Sequence, residues 1–445
     1  MNDPTIAQRL GHFIHANSYE ALPAHVVEQA KSRMLDSLGT ALASRELPVP
    51  ATALKFVAGS QGAASIYGHT QRVAAIDAAF VNATLINGTT HDDFLDKSHP
   101  GAVTIPAALA IAEERGSSGR DVLAAVVLGY DLVGRAYRGG PTMLPKFRAT
   151  GVAGAIGAAA AAGKLQGSNA DELASALGLA AMFASGFGEG FVSGTMDVKL
   201  NVGWACRSGV SAARLAQCGA TAAPRVFEGN AGFFNAFAGN TDAAAEAVRD
   251  LGAPFLIEQS VYKERPVCIF VQTPVELVLA LVDEHAIRAA AVERVVIHAP
   301  RATFTNPGFH NVAPFSTHLQ ARISARFTTA AALLGRPVGE YAFYYDIHDE
   351  EVLALAERIE LVDIGPDADS IRVDIVHCGT TFTRSAVEMD SLFPTLDKSR
   401  AKFERVAGPW LGKRTPQVVD LVLGLDQLCD IRELTRLLRA DAALA

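Results

Sequence analysis

Cysteine is sparse in this 445-residue chain, with five residues, at positions 206, 218, 268, 378 and 429. None forms a CxxC or stands close to another, which excludes a zinc knuckle and a disulfide framework and makes a reducing compartment the expectation. Aromatic residues are only 7% of the chain, too few for an aromatic-rich β architecture. Positive charge is also short: 39 basic residues against 47 acidic ones leave a formal net charge of −8 with no basic block. Nucleic acid is therefore excluded as an expected partner. Long apolar runs are missing, since stretches such as Leu173 to Gly188 fall short of the roughly 20 residues that span a bilayer. Residues Met1 to Leu10 lack a basic segment leading into an apolar one and are not Arg-rich, so no signal or transit peptide is read there. A soluble, cytoplasmic protein without membrane partners is expected. Walker A and HExxH patterns are absent too.

What is present is 49% hydrophobic residue with abundant Gly and Ala against 19% charged, the composition of a globular and mainly helical protein. At about 150 residues per domain the length suggests two or three units. Apolar residues recur at helical spacing from Pro4 to about Arg45, through Ile6, Leu10, Phe13, Val26, Ala30, Met34 and Leu38. Short pieces follow from Pro48 to Asp77, then helices are predicted at 78–85, about 103–115 and 119–138. Strand signals begin only after about 255, at 292–299, 358–364 and 371–377, with helices predicted at 276–287, 318–335 and 350–357. From Asp397 to about Leu444 a broad apolar stripe returns to helix. The fold expected is α+β and mainly α: a large all-helical domain, residues 1–255 plus 395–445, with a smaller α/β domain, 256–394, inserted between its two parts.

Gly151, Gly154 and Gly157 stand three apart, on a helix whose small side chains admit a close neighbour. No strand precedes them and no acid follows at the Rossmann distance, so helix packing is read here rather than a nucleotide loop.

Chemistry concentrates in the segment Asn87 to Gly101, where Asp92, Asp93, Asp96 and His99 lie within eight residues between two apolar helices. Adjacent carboxylates push one pKa upward and an imidazole can take or give the proton, the equipment of general acid–base catalysis. A solvated, capped loop would carry the same residues. A metal reading has His91, Asp92, Asp93 and His99 as N and O ligands but no recognised spacing. In Ser193 to Gly209, Lys199, Gly203 and Arg207 share one helix face. A lysine near a helix start opposes the macrodipole, a poor choice for stability and a reasonable one for gripping an anion; a surface lysine on a frayed turn is the other reading. Arg148 precedes the small-residue helix, and Lys263 and Arg265 precede an apolar run. Cations at such junctions suit a polycarboxylate.

These segments resemble the MmgE/PrpD family, whose members include 2-methylcitrate dehydratases, cis-aconitate decarboxylases and iminodisuccinate epimerases. The matching pieces run in order along nearly the whole chain: Leu22-Pro with Leu35-Asp-Ser-Leu-Gly39, Asp92-Asp93 before His99-Pro100, Pro106 to Glu113, Thr150 to Gly157, Gly194-Thr with Lys199 and Gly203, Ser208-Gly-Val, Phe227-Glu-Gly229 and the Lys263 segment. The resemblance implies a large helical domain, a smaller α/β domain, an active site at their interface and a homodimer. It also implies chemistry on a small carboxylate without metal, nucleotide or flavin.

Carried over, Asp93 and His99 look like the family's acid–base loop and Lys199 and Lys263 like its substrate-facing lysines. Asp93, His99 and Lys199 are the expected catalytic residues, with Lys263, Arg148, Asn201, Asp92 and Gln272 expected at the substrate. The chain departs from the family where Arg148, Asn201 and Gln272 replace frequent histidines and Thr90 replaces a carboxylate. Those changes count against 2-methylcitrate and cis-aconitate as substrate and leave a site for an anion. The reaction expected is that of a dehydratase-type lyase removing a proton next to a carboxylate. Epimerisation of an imino- or amino-dicarboxylate, decarboxylation and non-catalytic carboxylate binding are the alternatives.

Overall fold

Thr5 opens the first helix, Ile6–Ala16, in a capping box with Gln8, and Ser118 and Asn169 do the same for Gly119–Arg138 and Ala170–Phe183. Each such cap satisfies otherwise orphaned N–H groups at a gain of about 1 kcal/mol. The computed structural model describes residues 3–440. The described residues divide into two compact units, one of residues 3–188, 196–262 and 394–440, the other of 189–195 and 263–393.

The first unit is built of helices around Gly101–Arg115, Gly119–Arg138 and Ala149–Gln166, whose residues are nearly all buried; in Ala149–Gln166 only Lys164 is not. Gly101–Arg115 and Ala149–Gln166, enclosed along nearly their whole length, carry no amphipathic stripe. Their approach is set by glycine. A Cβ on Gly157 would lie 2.2 Å from Val133 Cγ2 and 2.7 Å from the Gly129 carbonyl, and one on Gly209 would lie 2.4 Å from the Ala155 carbonyl. The small-residue segment is thus a packing surface. Ala24–Ala43 and Ala75–Ile86 pack beside this centre, and Leu396–Leu411 lies along Ala24–Ala43. The unit is not wholly helical, since Ala64–Ser65 and Arg72–Val73 pair as a short antiparallel hairpin turning at Gly68, whose φ is +76°. Two-residue strands are too short to show the alternation from which a strand is read.

The second unit carries a four-stranded sheet in the order Ile359–Asp363, Val292–Ala299, Ser370–His377, Thr380–Val387, parallel across the first pair and antiparallel across the others. Val295, Ile297, Val373 and Ile375 make its buried face. Helix Ile269–His285 packs on the last two strands and on Ala325–Leu333. The strand Thr380–Val387 was not expected from the sequence; its residues are mostly exposed, so no buried face imposes a period of two. Among the described residues no helix is long and apolar enough to cross a membrane.

Candidate active site

The polar segment after Ala75–Ile86 is not a solvated loop. Asn87, Asp92, Asp93 and Ser98 are fully buried and His91 nearly so. Its course is fixed by two bridges: Phe94 exchanges both backbone hydrogen bonds with Val261, at 2.8 and 2.9 Å, and Leu95 does so with Ser98. Thr90, Asp96 and Lys97 all have positive φ, a conformation costly for non-glycine residues and concentrated where function demands a particular loop shape.

Asn87, the residue capping the end of the preceding helix, is the hub. Its side-chain N–H donates to Asp92 Oδ2 at 2.6 Å and its side-chain oxygen accepts from an Arg148 N–H at 3.0 Å. Its backbone carbonyl accepts from Lys199 Nζ at 2.8 Å, and Lys199 donates equally closely to Thr90 Oγ1. Lys199 sits in the first turn of Asp197–Gln217. Arg148 caps Ala149–Gln166. Burial pulls its guanidinium down to about 10, with the charges of Asp92 and Asp197 opposing that fall, so it remains a cation at neutral pH.

His99 is held at three points. Its backbone N–H donates to Thr150 Oγ1 at 3.2 Å, its Nδ1 lies 2.7 Å from the Asp93 carbonyl oxygen, and the same nitrogen is 3.4 Å from Asp92 Oδ2. A carbonyl oxygen can only accept, so Nδ1 carries the proton and Nε2 holds the lone pair of the neutral ring. The expected Asp93–His99 pair therefore takes another form: Asp93 holds the ring through its backbone, and the carboxylate beside the imidazole is that of Asp92. In an extended or turning chain, neighbouring residues point their side chains apart, which is why two adjacent aspartates divide these tasks.

The Asp93 carboxylate turns inward instead. Its Oδ1 accepts the Gly101 N–H at 3.1 Å, at the start of Gly101–Arg115. Burial pushes the carboxyl up to about 7, against the pull of the adjacent Tyr130 hydroxyl and the Arg33 guanidinium, while Asp36 and Asp92 add to the rise. Behind it, Arg33 donates to Ser260 Oγ at 2.6 Å, and Lys402 donates to the Asp36 carboxylate and, at 2.6 Å, to the His91 carbonyl.

Of the residues expected at the site, the structure brings together Asp92, Asp93, His99, Arg148 and Lys199 in the first unit. Asn201, in the same unit, donates its side-chain N–H to the Ser185 carbonyl at 3.0 Å and fits over Gly151, next to Thr150, where a Cβ would lie 2.0 Å from its Oδ1. Lys263 is the first residue of the second unit's long segment. Gln272, expected at the substrate, is occupied by backbone: its side chain accepts from Arg265 N–H and donates to the Arg265 and Val267 carbonyls. Sequence reading missed Asn87, Tyr130, Arg33, Asp36 and Lys402. Two of them carried a signal: Asn87, as the first polar residue after a helix, and Asp36, as the acid of the matching piece Leu35-Asp-Ser-Leu-Gly39. Among the described residues no group of three or more His, Cys, Asp or Glu side chains could hold a metal ion.

Comparison with known proteins adds two matches. Residues 8–246 match the model of the MmgE/PrpD N-terminal domain and residues 266–423 that of the MmgE/PrpD C-terminal domain. A cis-aconitate decarboxylase of Aspergillus terreus is 25% identical over 475 residues, covering 97% of this chain and 96% of that protein. The cis-aconitate decarboxylases of Mus musculus and Homo sapiens are each 26% identical, covering 98% of this chain and 94% and 95% of those proteins.

Proposed function

The chain belongs to the MmgE/PrpD family, and from that premise we propose that it is a lyase working with its own side chains on a small polycarboxylate, by moving a proton at the carbon next to a carboxylate. The observation that carries this reading is His99: its Nδ1 is committed to the Asp93 carbonyl, which leaves Nε2 as the proton-transferring atom. Asp92, 3.4 Å from Nδ1, favours the imidazolium once formed. A proton next to a carboxylate is weakly acidic, so the enediolate that follows its removal needs cations in a water-poor setting. Lys199 and Arg148, joined through Asn87, are the cations proposed for that task.

In the elimination that follows, the C–H bond breaks and its proton passes to Nε2. The electron pair enters the carboxylate as an enediolate and returns to form the alkene as the neighbouring C–O bond breaks. The hydroxyl then leaves as water, taking the proton back from the imidazolium. Asp93 acts through His99 and is a positioning residue in this scheme.

Decarboxylation is the second reading, favoured by the name shared by relatives that align over nearly the whole chain. There the C–C bond to a carboxylate breaks, carbon dioxide leaves, and the imidazolium protonates the carbon that keeps the electron pair. Proton NMR of purified protein with a panel of hydroxy- and unsaturated di- and tricarboxylates tests both. An alkene product formed with loss of water supports the dehydratase, release of carbon dioxide supports the decarboxylase, and scrambling of a stereocentre without either product overturns the lyase reading in favour of an isomerase.

A further inference from the structure

Lys402 lies in the Leu396–Leu411 helix, far along the chain from every site residue, and is 1% exposed. A buried ammonium is expensive unless its charge and its three N–H donors are answered. Its donors reach the Asp36 carboxylate on Ala24–Ala43 and the carbonyl of His91, at 2.6 Å in the latter case. Its Nζ also stands 5.5 Å from the centre of the Tyr262 ring, within the range of a cation–π contact. Two of those partners adjoin the acid–base loop. His91 immediately precedes Asp92 and Asp93, and Val261, next to Tyr262, makes the backbone bridge to Phe94. Asp36 in turn lies near enough to Asp93 to raise its carboxyl.

We propose that Lys402 is the positioning residue of the acid–base loop: from the C-terminal part of the chain it fixes the His91 carbonyl, and so the backbone that presents Asp92 and orients His99. The proposal rests on the reading of His99 as the proton-transferring residue. The charge on Lys402 matters as well as its reach. It faces Asp36 directly, with Arg33 and Asp92 as the next charges around Asp36, so a neutral replacement takes from Asp36 the one cation that donates a hydrogen bond to it among the described residues. The loop's left-handed residues Thr90, Asp96 and Lys97 hold a conformation that local preference alone does not favour, and a tether from outside the loop is what such a segment requires.

The test uses the full chain with Lys402→Met and Lys402→Arg. Four quantities are read: kcat, KM, amide exchange of residues 88–98, and the His99 titration followed by NMR. For Lys402→Met the expected result is a fall in kcat of about 10- to 100-fold with KM changed by less than about threefold, because a misplaced catalytic group costs rate more than binding. Amide protection of residues 88–98 is expected to fall while that of Ala149–Gln166 holds, and the His99 titration to shift. Should Lys402→Met not fold, Lys402→Arg decides: it keeps the charge but cannot keep the same reach to the His91 carbonyl, so a folded protein with lowered loop protection and lowered kcat is expected.

Folded variants with wild-type loop protection, His99 titration and kcat overturn the proposal. So does a loss of stability spread over Ala24–Ala43 and Leu396–Leu411 with kcat unchanged, which is a purely structural role. If the wild-type chain turns over no carboxylate, the functional reading fails by itself, and loop protection and the His99 titration still decide the role of Lys402.

Discussion

The Nδ1 of His99 lies 2.7 Å from the backbone carbonyl oxygen of Asp93. That contact fixes which nitrogen of the neutral ring carries the proton, independently of the protonation of either aspartate. Replacing His99 by Asn keeps a donor where Nδ1 stands and removes Nε2. The expected outcome is a loss of about 10²- to 10⁴-fold in kcat with little change in Tm, measured by steady-state turnover and thermal unfolding of the same preparation.

Asn87 makes three of the contacts that assemble the site, to Asp92, Arg148 and Lys199. Asn87→Ala retains only the backbone one. Leaving a buried carboxylate and a guanidinium each short of a partner is expected to cost about 2–3 kcal/mol, read as a lower urea midpoint, and to lower activity alongside.

Asp93 gives a pH dependence of definite sign. Its carboxyl is ordinary when unfolded and raised to about 7 when folded, so between roughly pH 4 and pH 7 the native state holds a proton that the unfolded chain has lost. Its contribution to stability therefore falls as pH rises through that window and stays low above it. Asp93→Asn, which still accepts the Gly101 N–H, removes the dependence. The stability of the variant relative to wild type is expected to grow by up to about 4 kcal/mol from pH 4 to pH 8, at 1.36 kcal/mol per unit. Unfolding at a series of pH values checks it, and parallel profiles for the two proteins would count against the raised carboxyl.

Gly101 has no room for a side chain. A Cβ there would meet Tyr130 Oη at 2.6 Å, Ser37 Oγ at 2.7 Å and Asp93 Oδ1 at 2.8 Å. Gly101→Ala is expected to destabilise by about 1–3 kcal/mol, as overpacking of a buried site does, and to disturb the acid–base loop through Asp93. A lowered Tm together with lowered kcat is the result expected.

The parts of this molecule that were legible in its sequence are those where physics is local. Helices such as Ile6–Ala16 and Ala24–Ala43 announce themselves by apolar spacing and by breakers such as Pro23, and the strands at 292–299 and 370–377 by alternation with one buried face. The edge strand Thr380–Val387 lacks such a face and stayed hidden. At the site, the density of Asp and His between two apolar helices pointed to chemistry, and Lys199 and Arg148 stood out as cations at helix starts.

What could not be read was how those groups divide their work. Whether Asp92 or Asp93 meets the imidazole depends on which side chain turns inward, and that is settled by Gly101 and Tyr130, not by the Asp-Asp pair. Lys402 reaches the His91 carbonyl across 311 residues of sequence, and nothing in the neighbourhood of either residue announces the partner. Gln272 shows the reverse: it was expected at the substrate, yet its side chain braces its own loop.

The most direct measurement of the role of His99 is deuterium incorporation into a carboxylate substrate in D2O, compared by proton NMR between the wild-type protein and His99→Asn. Exchange or solvent-derived deuterium at the carbon next to a carboxylate in wild type, lost by about 10²-fold or more in the variant while the fold is intact, is the expected result. Equal exchange by the two proteins would contradict His99 as the residue that moves the proton.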